Sequence, residues 1–431
     1  MLNRRFFFII GLVLLLAAVV LVWYFVYVTP KAAPSLAQPT NPFPTSTFSR
    51  GFQFIFGQNK TGEEAVPQTP DATPAAQQTL IEIWNKPATG AAFVAQQVLI
   101  QVEATTTPKG TTTPIVIQKT VRATSTLLMF VDRTTGYIYG YNMEEGTINQ
   151  LTNTTVIGVH DAYIYSNGKR VMMRRYDEDS KAIITIVANI PAPIQNGPPQ
   201  ALSQMTSLPL NVASIAINKK GDRLSYLVPN SSGSSIYTLG ATGGTLVSTS
   251  PFSEWSLFYG GDTLYATTKP SAYLLGMTTA LPSFEYLIGN KTGLMSNASD
   301  KGALLNSVWT DSGLVTYLSA TQGEIILQAK TLASKCTWGT REFLICAIPK
   351  TLPVSDEGMP DDWLQGRTSF DDTLETVDVG SGTSYPLYSF DPSKGEMDVT
   401  NIGLSSDNKW VTFIRKQTGS LWLLRTENIT Y

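Results

Sequence analysis

Four turns far apart in the chain carry one pattern: a polar residue, a glycine, then within two residues an apolar or aromatic run. They are Thr135-Gly136-Tyr137-Ile138-Tyr139, Ser232-Gly233-Ser234-Ser235-Ile236-Tyr237, Gln322-Gly323-Glu324-Ile325-Ile326 and Thr418-Gly419-Ser420-Leu421-Trp422. The glycines are 97, 90 and 96 residues apart. Each gap is close to twice 47, and weaker copies stand near the midpoints, at Lys181 to Val187, Ala272 to Met277 and Leu374 to Val379. A unit that recurs at such a spacing hides its apolar face on the next copy, and a period near 47 suits four short strands.

Strands are what the intervening sequence offers. After residue 80 no long 3.6-residue apolar period appears, and short Val/Ile/Leu/Tyr/Thr runs are broken by Gly, Asn, Asp and Ser. A second recurring element precedes the turns. Ser166-Asn167-Gly168-Lys169-Arg170-Val171 matches Lys220-Gly221-Asp222-Arg223-Leu224-Ser225-Tyr226, Thr310 to Tyr317, and Ser406-Asp407-Asn408-Lys409-Trp410-Val411. Gly, Asn and Asp reach the positive φ of a tight hairpin at little steric cost. These runs resemble the Ser-Pro-Asp-Gly-Lys repeat of TolB-like β-propellers, also seen in the propellers of prolyl-oligopeptidase-type peptidases, although the proline is missing throughout. The resemblance spans about ten residues per unit over 160–415 and implies a fold rather than an activity. The expectation is an all-β chain forming a seven-bladed β-propeller over 80–431. Those 352 residues give about 50 per blade, while six blades of about 59 or eight of 44 also satisfy the length.

The ring closure is also readable. Leu80 to Gly90 aligns without gaps with Ile148 to Gly158, an outer strand followed by the next inner strand. The first copy precedes any complete blade, and the last blade has room for only three strands. Leu80 to Trp84 is therefore expected to supply the fourth strand of the last blade, which removes exposed edges. Val98 to Val121 reads as an inserted hairpin.

Upstream the chain changes character. Phe6 to Val28 is 23 residues without a charge. As a helix it would be roughly 35 Å long, enough to cross about 30 Å of hydrocarbon. It exceeds the ~7–15 residues of a signal-peptide core. Arg4 and Arg5 precede it, and Trp23, Tyr24 and Tyr27 cluster at its far end. The expected topology is a cytoplasmic tail at 1–5, a single transmembrane anchor in the lipid bilayer at 6–28, and an extracytoplasmic remainder. Residues 29–79, rich in Pro, Thr and Ala, read as a linker interrupted by Phe52-Gln53-Phe54-Ile55-Phe56.

Composition narrows the function. Without Arg4 and Arg5, 29 Lys+Arg face 33 Asp+Glu, a net charge of −4 with no basic run, which argues against nucleic acid. One histidine and two cysteines exclude zinc fingers and iron–sulfur sites, and no cofactor or metal site is expected. No Gly-x-Ser-x-Gly elbow, Walker loop or His-Glu-x-x-His occurs, and no residues remain for a hydrolase domain. His160 falls in the inner strand of the second blade. Cys336 and Cys346 flank a hairpin centred near Arg341, a register that sets them opposite each other; a disulfide or two buried thiols both fit. Lys350 to Asp372 replaces a short turn between the second and third strands of the sixth blade. It carries Asp356, Glu357, Asp361, Asp362, Trp363 and Arg367, the candidate binding loop; a solvated acidic loop packed by Trp363, and more remotely a calcium site, are the other readings. The resulting expectation is an envelope module that binds or scaffolds a protein or glycan. A hydrolase using carboxylates at the propeller channel, or a purely structural envelope protein, are the alternatives.

Overall fold

The structure, a computed structural model, describes residues 80–426 apart from 107–114, 193–196, 241–242, 311, 321–322, 341–342 and 354–357. The expected anchor and linker lie outside the described residues. The described chain begins with β1 (Leu80–Trp84) and continues into a first blade of β2 (Ala88–Thr106), β3 (Ile115–Asp132), β4 (Ile138–Asn142) and β5 (Thr147–Gln150). The second blade is β6 (Val159–Tyr165), β7 (Arg170–Asp177), β8 (Ala182–Asn189) and β9 (Ser203–Ser207). The third is β10 (Ser214–Ile217), β11 (Leu224–Asn230), β12 (Gly233–Leu239) and β13 (Gly244–Ser250). The fourth is β14 (Trp255–Gly260), β15 (Thr263–Thr268), β16 (Leu275–Ala280) and β17 (Glu285–Thr292). The fifth is β18 (Met295–Ala298), β19 (Leu304–Thr310), β20 (Gly313–Ala320) and β21 (Gly323–Ile326). The sixth is β22 (Cys336–Trp338), β23 (Phe343–Pro349), β24 (Asp372–Asp378) and β25 (Ser384–Ser389). The seventh has β26 (Val399–Leu404), β27 (Trp410–Arg415) and β28 (Leu421–Arg425).

Each blade is a four-stranded antiparallel sheet, and the seventh is completed by β1, in the order β1-β28-β27-β26. The closing register pairs Leu80 with Leu424, Ile81 with Leu423, Glu82 with Trp422 and Trp84 with Leu421. This is a seven-bladed propeller closed as the internal alignment anticipates.

The core explains why the units repeat. Buried apolar residues form seven clusters, one at each junction between successive blades. No blade owns a core; each fills the gap to its neighbour. At the closing junction Ile83, Leu421 and Leu423 meet Leu128, Phe130 and Tyr141. There Trp84 lies 4.6 Å from the Tyr139 ring, and its indole N–H donates to Asp132 at 3.1 Å. Burying such side chains contributes about 1.5–3 kcal/mol each, so closure secures the first and last blades together.

The turn glycines recur because the backbone demands them. Gly136 and Gly419 both sit at φ 73°, in the left-handed region. A Cβ on Gly136 would stand 2.6 Å from the Val156 carbonyl oxygen. The fifth blade departs from the expected assignment. Gly323 opens its fourth strand rather than its third, and the Thr310 to Tyr317 copy runs into β20, not into a second strand. Every tight hairpin needs the same residue types, so the motif marks a turn without saying which turn. The Val98 to Val121 insertion is the outer part of a long ladder in which β2 pairs with β3 from Ala88–Asp132 to Thr106–Ile115.

Candidate functional site

Two faces follow from the topology. Blade-to-blade connections and the loops between second and third strands lie on one face, here the connection face. The remaining hairpin turns lie on the opposite face, where the long β2–β3 ladder projects.

The 350–372 insertion folds over the connection face. Asp356 and Glu357 lie outside the described residues. The segment includes a four-residue helix, α1 (Asp361–Leu364). The Asp361 carboxylate accepts the Ala272 backbone N–H at 2.6 Å. The sixth blade thereby reaches the β15–β16 loop of the fourth, across the fifth. Asp362 forms a surface ion pair with Arg367 at 2.5 Å. Trp363 points inward and is only 6% exposed, stacking 6.0 Å from Phe370. Of the candidate rim residues, then, Asp362 and Arg367 face outward, Asp361 ties loops together, and Trp363 packs the insertion down.

Beneath Trp363 lies a cluster of charges. Lys335, in the 3-10 turn Ala333–Lys335 before β22, is fully buried together with Asp372 and Asp398. Its Nζ lies 2.5 Å from Asp398 Oδ1 and 2.8 Å from Asp372 Oδ2. Asp398 also accepts from Trp363 Nε1 at 2.9 Å, Phe370 N at 3.1 Å and Ser369 Oγ at 3.2 Å. Lys416 Nζ stands 3.8 Å from it, donates to the Trp363 carbonyl and lies over the Trp363 ring at 4.1 Å. Asp372 Oδ2 accepts Val399 N–H at 2.7 Å, whereas its Oδ1 has no hydrogen-bond partner among the described residues. Burial pushes the Asp372 carboxyl up to about 6, against the opposing pull of Lys335. Lys335, Asp398 and Lys416 were missed in the sequence. The trace of Lys335 and Asp398 was a charge embedded in an apolar run, Leu332-Ala333-Ser334-Lys335-Cys336 and Met397-Asp398-Val399, whereas Lys416 sits among polar residues. Next to Lys335, Cys336 pairs with Cys346 across β22–β23, and the two are disulfide-bonded.

His160 stands where β6 begins on the connection face. A bulge between Val159 and Asp161 turns it out of the ladder with β7. Burial, then the Arg174 guanidinium, holds its imidazole below the usual value, with Asp161 opposing. Arg174 is itself bound to Asp161 at 2.5 Å and to the Val212 carbonyl at 3.0 Å, and Arg133 donates to the Val159 carbonyl at 3.2 Å. This is a polar seam at the mouth of the inner strands in which Asp161 is already paired with Arg174.

Exposed apolar groups are unevenly placed. Ile157, Phe252, Tyr273, Leu274 and Leu364 lie in connection-face loops, and Leu275 begins β16 there. Tyr273, Leu274 and Leu275 are 77%, 70% and 61% exposed. Leu210 lies in the β9–β10 connection and Tyr176 near the end of β7, while others, such as Leu246 and Ile326, lie on outer strands. Among the described residues none lies in a turn of the opposite face. That face instead has a groove of about 990 Å³ at the foot of the β2–β3 ladder, with Val94, Leu127 and Met129 on one side and Asn167, Lys169 and Ile190 on the other.

No protein-family model matches the chain, and no curated protein matches it. Solved structures similar to it include the Swd1 propeller domain of Myceliophteria thermophila, at 9% identity, covering 69% of this chain and 93% of that one, with a TM-score of 0.42. The propeller domain of the Trilobed protease from Pyrococcus furiosus is 9% identical, with coverages of 70% and 91% and a TM-score of 0.44. The hydrazine synthase of Kuenenia stuttgartiensis is 10% identical, with coverages of 63% and 77% and a TM-score of 0.43. The strand pairing of this chain itself makes the propeller: seven four-stranded sheets, the last completed by its first strand.

Proposed function

We propose that the chain is a membrane-anchored, extracytoplasmic propeller that binds or scaffolds an envelope protein or glycan through its connection face. The observation that carries this is the apolar rim formed by Tyr273, Leu274 and Leu275 in the β15–β16 loop, which the Asp361–Ala272 bond joins to the 350–372 insertion. Side chains of this size left in water on a loop, beside the charged pair Asp362–Arg367, fit the make-up of an interaction surface, an apolar centre with a polar edge. The uncharged stretch from Phe6 to Val28 with Arg4 and Arg5 before it supports the anchor.

The observations favour binding over hydrolysis. Asp161 at the mouth of the inner strands is tied to Arg174, while Asp372 and Asp398 are fully buried. The test is crosslinking pull-down from native membranes with the full chain and with Tyr273→Ser/Leu274→Ser/Leu275→Ser. These residues support no core, so the variant folds and loses its partner. Equal capture by both chains refutes the site, and no specific capture by either refutes the binding role.

A further inference from the structure

Lys335, Asp372 and Asp398 form an arrangement that ion pairing does not account for. Three charged groups are fully buried, and one carboxylate oxygen, Asp372 Oδ1, has no partner among the described residues. Burying an ion pair costs several kcal/mol per ion, and it is recovered only when every remaining lone pair is satisfied. Here Asp398 is satisfied and Asp372 is not. The lysine ammonium is roofed by two aromatic rings, Trp363 and Phe370, each 5.1 Å from Nζ, an apolar lid that keeps water out.

We propose that Lys335 Nζ and Asp372 Cγ condense into an intramolecular amide bond, with Asp398 carrying the protons. The parts stand in place. Nζ is within hydrogen-bond reach of both carboxylates, at 2.5 and 2.8 Å. Asp398, oriented by hydrogen bonds from Trp363, Ser369 and Phe370, takes a proton from the ammonium and frees the amine. The amine attacks Asp372 Cγ. The Val399 N–H, 2.7 Å from Oδ2, stabilises the negative charge that gathers on that oxygen. Oδ1, which no donor holds, is the leaving oxygen. Asp372 enters as the carboxylate, and the upward push on it helps it take the first ammonium proton by way of Asp398 and so become the electrophilic acid.

The balance closes. A C–N bond forms and the Cγ–Oδ1 bond breaks. Of the three ammonium protons, one stays on the amide nitrogen and two pass by way of Asp398 to Oδ1, which departs as water. No oxidant or co-reactant enters. One buried cation and one buried anion vanish together, along with the unpartnered oxygen. The bond would join the turn before β22 to the first residue of β24. It would thus close the whole 350–372 insertion covalently, beside the Cys336–Cys346 bridge.

The test is peptide mapping and intact mass of the full-length chain, extracted from membranes, denatured and reduced. The expected mass is below the sequence mass by one water, and digestion releases a branched peptide joining the Lys335 and Asp372 segments. Lys335→Arg abolishes both signs. Asp372→Asn loses ammonia instead and arrives at the same product mass as the unaltered chain, because either leaving group leaves the same amide. Asp398→Ala removes or slows the branched product; an undiminished branched peptide there overturns the proton-carrying role. The unaltered chain decides the main point without any variant. Linear Lys335 and Asp372 peptides at the full sequence mass overturn the proposal, as does a water loss that maps elsewhere.

Discussion

Replacing Trp363 separates the two ways in which it holds the 350–372 insertion. In Trp363→Phe the ring still stacks toward Phe370 but both indole N–H contacts to Asp398, at 2.9 and 3.2 Å, are lost. A hydrogen bond to a buried charge is worth about 1.5–3 kcal/mol, and Asp398 keeps its other donors, so a loss of ~2 kcal/mol is expected. In Trp363→Ala the buried ring goes as well. Such truncations cost about 3–5 kcal/mol, and the open space above Lys335 places this one at the upper end, ~4–5 kcal/mol. Unfolding entropy is about 2.1 cal/mol/K per residue, so a ring of about 350 residues loses roughly 1.4 °C of Tm per kcal/mol. Calorimetry should therefore show a fall of ~3 °C for the phenylalanine variant and ~6 °C for the alanine variant. A phenylalanine variant that melts with the unaltered chain would show that the indole does not bind Asp398. An alanine variant that does so would show that the insertion is not packed down at all.

His160, the single histidine, should titrate below 6.5 in the folded chain, and Arg174→Gln should move it upward by removing a neighbouring cation. The lowered value keeps the folded imidazole neutral. Its contribution to stability is then present above about pH 6.5 and is lost as pH falls from there through the folded value. Mass-spectrometric exchange at the imidazole C2 position reads the midpoint, and a value at or above 6.5 contradicts the account. Gly136→Ala and Gly158→Ala impose the same left-handed strain, at φ 73° and 72°, but only the first also drives a Cβ to 2.6 Å from Val156 O, where Gly158 has open space. Thermal unfolding should show about 1 kcal/mol for Gly158→Ala and ~2–3 kcal/mol for Gly136→Ala; equal losses would remove the steric argument.

The fold was legible because its cause is local and repeated. Gly136, Gly233 and Gly419 need positive φ in the same kind of turn, and the match of Leu80 to Gly90 with Ile148 to Gly158 carried the closure. The same locality explains the slip in the fifth blade, where Gly323 serves a different hairpin with identical chemistry. The site was less legible. Asp361, Asp362 and Trp363 stand out as an acidic, aromatic insertion, yet whether a side chain points outward or inward depends on partners such as Asp398, Lys416 and Ala272 that only the closed ring brings near. Lys335, Asp372 and Asp398 come from three separate stretches around blades six and seven, and nothing in local spacing announces their meeting.

The central claim is that the chain closes on itself through Leu80–Trp84, and amide hydrogen exchange tests it most directly. Peptides covering 80–84 should be as slowly exchanging as those covering 421–425. Deleting 80–84 should raise exchange at 421–425 and at the junction residues Leu128 and Phe130, while 263–268 on the far side of the ring stays protected. Rapid exchange at 80–84 in the intact chain, with 421–425 indifferent to their removal, would mean that the ring does not close where the pairing of β1 with β28 puts it.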